Sequence, residues 1–270
     1  MSKVGIIIVN YNEDKLTEDC IKSIDESRTI IPYEIILINN SPSRLREISK
    51  FNNSSNIGFS KAVNQGIEYC FKNNFDYVYL LNNDTKVTKG FLDSSIELCE
   101  KRKEIGIVGS KQLNFDRKDS ISYGNITPFG VNYYSGSIQK EVNWISGAGV
   151  LIKMEVIKSI GNLDERYSPA YYEETDFEFR AKKRGFILLA NPNSIIYHKG
   201  SETSNKVFNS DEFYEIFQRN RIRFFITHFG IIGYFPRFIQ DLLNAIKQKR
   251  FKIFLNTLNN SLKTVEVNKE

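Results

Sequence analysis

The chain has 270 residues, of which 41% are hydrophobic and 26% charged, with a formal net charge of +5. That length holds one large α/β domain with an appendage, the composition excludes global disorder, and the mild basic excess suits an anionic ligand or membrane surface without any Lys/Arg block of the kind that binds nucleic acid. Cys20, Cys70 and Cys99 lie in helix-like segments with no CxxC, which argues against a disulfide framework or zinc site and for a reducing, cytoplasmic compartment; no secretory leader precedes the first strand, and no stretch of about 20 apolar residues reads as a membrane span.

Residues 4–9 are a continuous β-branched apolar run, predicting a buried parallel strand that ends in Asn10, Tyr11 and Asn12. Residues 14–27 have helical spacing, with Leu16, Cys20, Ile21 and Ile24 on one face. Residues 34–38 predict a second buried strand ending in Asn39, Asn40 and Ser41. This β-loop-α-β opening is the nucleotide-binding half of a doubly wound sheet, whose ligands gather at the carboxyl ends of strands. Val9 to Asn12 and Asn39 to Ser41 sit at such ends. No GxGxxG follows the first strand, which counts against a dinucleotide oxidoreductase.

Asn56 to Ser60 opens another helix, with Ala62, Val63, Gly66, Ile67 and Cys70 spaced for burial. Gly58 permits a positive φ or a close backbone approach. Lys61 and Asn64 are placed to reach a base or phosphate, and Asn56 fits a helix cap as well as a ligand contact. Residues 76–81 form the third strand and run into Asn82, Asn83 and Asp84. A carboxylate there can hold Mg²⁺ or Mn²⁺ against a diphosphate; a turn aspartate is the plainer alternative. A helix over 89–103 and a strand over 105–110 follow.

Residues 114–143 are polar, glycine-punctuated and aromatic, predicting irregular strands and loops. Their rings, Tyr123, Phe129, Tyr133 and Tyr134, suit either a sugar face or a satellite core. Trp144, the small-residue turn Ser146-Gly147-Ala148-Gly149 and the apolar run Val150 to Ile152 come next, then a short helix over 153–160. A further helix runs from about Glu174 to Arg184 and crowds Glu173, Glu174 and Asp176 into its first turn, beside Tyr171, Tyr172, Phe177 and Phe179. Carboxylates among apolar rings can be tuned as a base, while acids at a helix N-terminus also suit the dipole, and Asp176 with Arg180 has ion-pair spacing. Residues 186–190 and 194–198 read as two more strands. His198 ends the second and becomes a second metal ligand if Asp84 is the first.

A helix over 211–229 carries Phe213, Ile216, Phe217 and Phe224, with Tyr214 and Asn220 among them. Its arginines, Arg219, Arg221 and Arg223, suit a pyrophosphate or a solvated face. Residues 231–255 interleave large apolar side chains with Lys and Arg; such a segment fits an anionic membrane face and equally docking on the catalytic domain or a homodimer partner. The last dozen residues are polar and predict a frayed end.

In chain order, VNYN (Val9 to Asn12), INNS (Ile38 to Ser41), NIGFSKAVNQGI (Asn56 to Ile67), LLNND (Leu80 to Asp84) and SGAGVLIK with GNLDERY and YYEETDFEFRAKKRGF together resemble the family 2 glycosyltransferases, and bacterial rhamnosyltransferase-like members among them. The resemblance covers roughly residues 3–223. It implies a GT-A fold: an α/β architecture with a Rossmann-like, mostly parallel sheet flanked by helices. The catalytic domain would span 1–205, with a nucleotide-binding half over 1–110 and an acceptor half over 111–205, and a C-terminal helical extension would span 206–270.

By the same resemblance, the donor-binding residues are Val9, Asn10, Tyr11, Asn12, Asn39, Asn40, Ser41, Asn56, Gly58, Phe59, Lys61, Asn64, Asn82, Asn83 and Asp84. Asp84 and His198 hold Mn²⁺ or Mg²⁺. Glu174 is the base, with Glu173 and Asp176 as alternates, and Trp144, Ser146, Gly147, Tyr171 and Tyr172 face the acceptor. Three departures stand out: Asn39 where the family commonly has Asp, Asn82-Asn83-Asp84 for DxD, and Glu173-Glu174 for Glu-Asp. The implied reaction is inverting transfer from a nucleotide-sugar donor, dTDP-rhamnose or a UDP-hexose, to a cell-surface polysaccharide or lipid-linked glycan at the cytoplasmic membrane face. A nucleotidyltransferase and a non-catalytic sugar-nucleotide-binding scaffold are the rival expectations.

Overall fold

The computed structural model describes residues 2–134, 139–200 and 209–267, with side chains as far as Ser261. The boundary expected at 205/206, and Ser201, lie outside the described residues. The first half contains β1 (Val4–Asn10), α1 (Asp14–Glu26), β2 (Tyr33–Asn39), β3 (Phe51–Asn52), α2 (Phe59–Lys72), β4 (Tyr77–Leu81), β5 (Thr85–Val87), α3 (Phe91–Glu100) and β6 (Ile105–Leu113). Then come β7 (Tyr123–Thr127), β8 (Gly130–Tyr134), β9 (Lys140–Val142), β10 (Trp144–Ile145), β11 (Gly149–Lys153), α4 (Met154–Ile160), α5 (Glu173–Lys183) and β12 (Ile187–His198).

Among the described residues the main sheet has 9 strands in the order β3-β2-β1-β4-β11-β6-β12-β5, with β9 on β12. β3, β2, β1, β4, β6 and β12 share one direction, and β11, β5 and β9 oppose them, so the sheet is mostly parallel. Helices cover both faces. Ile7, Ile36 and Ile38 pack with Val63 and Ile67 of α2 and Phe177 of α5, while Ile6 and Ile8 pack with Ile24 of α1 and Phe91 of α3. Burial from both sides is why these strands read as unbroken apolar runs rather than alternating ones.

Two features depart from the expected strand plan. The run Val150 to Ile152 is a central strand, β11, inserted antiparallel between β4 and β6. It carries the preceding turn to the end of β4, where Asn82 N–H donates to Ala148 O at 3.1 Å. The two strands expected over 186–198 are one, β12, whose register on β6 shifts between Asn191 and Ile195. The shift absorbs Pro192, which cannot donate to a ladder, and Asn191 closes it by accepting from Asn193 N–H at 3.0 Å.

The C-terminal region is helical. α6 (Ser210–Lys247) is broken at Gly230, where φ is 74° and ψ 174°, and α7 (Phe251–Val267) follows. Where a frayed end is expected over the last dozen residues, α7 continues to Val267, and residues 268–270 lie outside the described residues. Phe254 packs on Phe238 of α6, and the Thr257 and Ser261 hydroxyls donate to carbonyls four residues back. Arg219 donates to Ser168 O, Arg223 donates to Arg166 O, and Arg221 meets buried Asp241 at 2.7 Å. The arginines considered for a pyrophosphate are thus engaged in holding α6 in place. All three cysteines are buried and free, and burial pushes each thiol up to about 12. No described helix is long and apolar enough to cross a membrane.

Candidate active site

Strand ends of the main sheet, the turn before β11, the three-stranded sheet β10-β7-β8, the start of α5 and one face of α6 enclose a cavity of about 600 Å³. Val9, Tyr11, Asn40, Asn56, Phe59, Asn82, Asn83, Asp84, Trp144, Ser146, Gly147, Tyr171, Tyr172, Glu173, Glu174 and His198 line it. The sequence motifs, scattered over nearly two hundred positions, therefore meet at one place.

Other predicted residues do not line it, and their hydrogen bonds explain why. Asn10 and Asn39 are buried and satisfy each other, Asn10 Nδ2 donating to Asn39 Oδ1 at 3.0 Å. Asn39 Nδ2 also donates to Ser49 and Asn52, so the position matched to a base or ribose contact is consumed within the fold. Asn12 is an exposed left-handed turn residue, φ 56°, whose N–H donates to Ser41 Oγ. Asn64 clamps the next segment, accepting from Leu163 N–H and donating to Leu163 O and Glu165. Lys61 is exposed and away from the cavity. Gly58, φ 89°, lies so close to Ser168 that a Cβ would sit 2.3 Å from its Oγ; close packing, not ligand contact, requires glycine there. Asn56 is not the cap of α2 either: it accepts from Gly58 N–H and Asn40 Nδ2, shaping the turn that precedes the helix.

Asp84 lies on the turn between β4 and β5, and the pairing of His198 with Thr85 brings the histidine beside it. Asp84 Oδ1 is 3.2 Å from His198 Nε2, and Oδ2 accepts from Gly200 N–H at 3.2 Å. His198 Nδ1 is 3.1 Å from Gln112 Oε1. Nε2 thus either donates a hydrogen bond to the Asp84 carboxylate or, with the ring proton on Nδ1, turns a lone pair toward it. Among the described residues no group of three or more His, Cys, Asp and Glu side chains is arranged to hold a metal ion.

The start of α5 forms the opposite wall. Tyr171 and Tyr172 both have left-handed backbones, φ 76° and 73°, a conformation that costs on the order of 1–3 kcal/mol per non-glycine residue. Asn220, fully buried on α6, offsets this strain by donating to Tyr167 O, Ala170 O and Tyr171 O at 2.6, 2.9 and 2.9 Å. Phe217 packs edge-on against Tyr171 and tilted against Tyr172, and also lines the cavity. Neither Phe217 nor Asn220 is assigned to the site by sequence. The available signal is an asparagine on an otherwise aromatic helix face, since a buried amide must find partners.

Glu174 reaches across to the turn before β11, where a Cβ on Gly147 would lie 2.2 Å from its Oε1. Burial raises the Glu173 carboxyl well above the usual range, and the Glu174 charge and the hydrogen bond between them raise it further. Burial also raises Glu174, partly countered by that bond. Of the two, Glu174 is the member that meets Gly147. One turn on, Glu178 is buried and raised by burial; its Oε2 accepts from Ile145 N–H at 3.1 Å and ties α5 to β10. Gly147→Ala is expected to displace the Glu174 carboxylate rather than unfold the chain, because the clashing atoms end a flexible side chain. The readouts are an unchanged melting temperature with activity lowered about a hundredfold.

Asp176 does not face the cavity, which removes it as an alternate base. Its carboxylate lies 2.7 Å from Arg180 Nε and 2.8 Å from His228 Nε2. Burial disfavours its charge, but the His228 hydrogen bond and the Arg180 charge outweigh this and hold it below the usual range. A depressed folded pKa contributes stability above the unfolded value of about 3.9 that is lost as pH falls through the folded value. Asp176→Asn is expected to cost about 3 kcal/mol at neutral pH. Its deficit against the parent protein should shrink as pH falls below about 4, as read from melts at a series of acid pH values.

Comparison with known proteins places this geometry. The chain is 23% identical over 163 residues to an uncharacterized protein of Mycobacterium tuberculosis, covering 59% of this chain and 60% of that one. It therefore spans about 60% of the length of the curated relatives it first matches. Its structure resembles S. aureus TarS 1-349 in complex with UDP-GlcNAc, with a TM-score of 0.65 at 13% identity over 97% of this chain and 81% of that one. It also resembles GalNAc-T7 with UDP, GalNAc and Mn²⁺, with a TM-score of 0.63 at 15% identity over 82% of this chain and 48% of that one. These likenesses establish the GT-A fold. The family model for glycosyl transferase family 2 matches residues 5–161, more than half of the sequence and all four motifs from VNYN to LLNND, and the chain belongs to that family.

Proposed function

We propose that this protein is an inverting glycosyltransferase that moves a sugar from a nucleoside-diphosphate donor to an acceptor hydroxyl. The observation that carries the reading is one cavity lined by both the Asp84–His198 pair and the Glu173–Glu174 pair. In this mechanism Tyr11, Asn40 and Asn56 would border the nucleotide, and Asp84 and His198 would hold Mn²⁺ or Mg²⁺. The pair, a hard carboxylate and an imidazole 3.2 Å apart, offers ligand types suited to such an ion. When bound, the ion neutralises charge on the departing diphosphate.

Glu174 takes the proton of the acceptor hydroxyl, whose oxygen forms a bond to the sugar anomeric carbon as the bond to diphosphate breaks on the opposite face. Glu173, whose carboxyl burial and the neighbouring Glu174 charge raise well above the usual range, favours donating a hydrogen bond to Glu174. Trp144, Tyr171, Tyr172 and Phe217 exclude water and orient the acceptor. By motif likeness the donor is dTDP-rhamnose, with UDP-hexoses next. The neighbour solved with UDP-GlcNAc supports the UDP alternative. By motif likeness, the acceptor is a cell-surface or lipid-linked glycan.

A thermal-shift panel of UDP, dTDP and GDP and their sugars, each with Mn²⁺, Mg²⁺ or EDTA, tests this. A ligand at a hundred times its dissociation constant stabilises the native state by about 2.7 kcal/mol. Metal-dependent stabilisation by one nucleotide identifies the donor base, and no shift with any of them on folded protein overturns the donor site. Donor binding without transfer to any acceptor would favour the scaffold alternative.

A further inference from the structure

We infer that the outward face of the C-terminal helices docks on the surface of an anionic lipid bilayer. Beyond the break at Gly230, α6 turns Tyr234, Asp241 and Ala245 inward, where they are buried. On the opposite side stand Ile232 at 91% exposure, Phe235 at 61%, Ile239 at 43%, Leu243 at 61% and Ile246 at 55%. Their spacing of three, four, four and three residues makes one straight stripe about 21 Å long. On α7, Phe251 and Leu255 are exposed as well, at 42% and 43%. Single exposed apolar side chains are ordinary; a row of five on one helix face marks an interaction surface.

Charge selects the occupant. Lys247, Lys249 and Lys252 cluster where α6 passes into α7, all exposed and with no ion-pair partner among the described residues. Arg237 and Arg250, by contrast, are engaged by Asp241 and Asp211. Between residues 231 and 261 the only acid is Asp241, fully buried between Arg221 and Arg237. The stripe therefore carries no acid of its own and has a positive end, where the exposed Asp211 is held by Arg250 and leaves the three lysines unpaired. Acidic headgroups over acyl chains complement both parts at once. A second copy meeting it through the same face would cover the stripe but bring the lysines no carboxylate.

The test uses the full chain and does not depend on sugar transfer: co-sedimentation with vesicles of phosphatidylcholine alone, or of phosphatidylcholine mixed with phosphatidylglycerol. The protein is expected to sediment with the anionic vesicles only. Replacing Lys247, Lys249 and Lys252 together by Glu should lower the partition coefficient on the order of a hundredfold or more. Ile232→Ser, Phe235→Ser and Ile239→Ser together should abolish sedimentation while circular dichroism stays unchanged, since these side chains are already in water. Failure to bind anionic vesicles, or binding unaffected by either set of changes, overturns the inference. So does a dimer in light scattering that the serine variant dissolves, which would assign the face to self-association.

Discussion

Glu174→Gln is expected to lower sugar transfer about a thousandfold while leaving donor affinity unchanged. The amide keeps the size of the carboxylate, so the fit against Gly147 survives, but it cannot accept the hydroxyl proton. Glu173→Gln separates the two members of the pair. An amide at 173 still donates to Glu174, so activity should fall far less than with Glu174→Gln. The reverse ranking in folded variants would transfer the base role to Glu173. The parent enzyme should lose activity on acidification through a midpoint above the ordinary glutamate value of about 4.3, because burial raises Glu174 and only its charged form accepts a proton.

Asp84→Ala is the second large effect. It should weaken donor binding in the presence of Mn²⁺ by about a hundredfold and remove the difference between Mn²⁺ and EDTA. The reason is local: without the carboxylate, His198 Nε2 is the remaining protein donor on that wall. Titration calorimetry of donor binding with and without metal gives the answer. An EDTA-insensitive parent enzyme, or an Asp84→Ala variant that keeps its full metal dependence, would sink the assignment. His198→Gln should weaken the metal effect in the same direction, which distinguishes a shared ion from a simple Asp–His bond.

The strands were legible because helices cover both sheet faces, so each central strand had to be apolar at every position. The direction of β11 was not: Val150 to Ile152 is equally apolar either way, and only pairing with distant Tyr79 and Val108 makes it antiparallel. The split of 186–198 into two strands at Pro192 follows from a missing donor that the sequence shows, without the bulge that tolerates it. In the site, strand-end position identified the right loops but not the right side chains. Asn39 and Asn40 are neighbours, yet successive residues of an extended chain point opposite ways, and only Asn40 reaches the cavity. Glu174 and Asp176 differ likewise, since two residues along a helix carry a side chain to the opposite side. Phe217 and Asn220 belong to the site through tertiary contact alone.

The Asn220 clamp also sets when the protein can become active. On the ribosome, the N-terminal strands and the carboxylates of α5 are made first, but the left-handed tyrosines before them lack the amide that holds them. At about 5–20 residues per second, the stretch from Tyr172 to Asn220 takes roughly 2–10 s to synthesise. Until it has emerged and docked, a nascent chain can have its sheet and its acidic residues without the loop that orients them. Translation therefore completes the strands and the carboxylates before the loop geometry that orients them, which waits for Asn220 to follow.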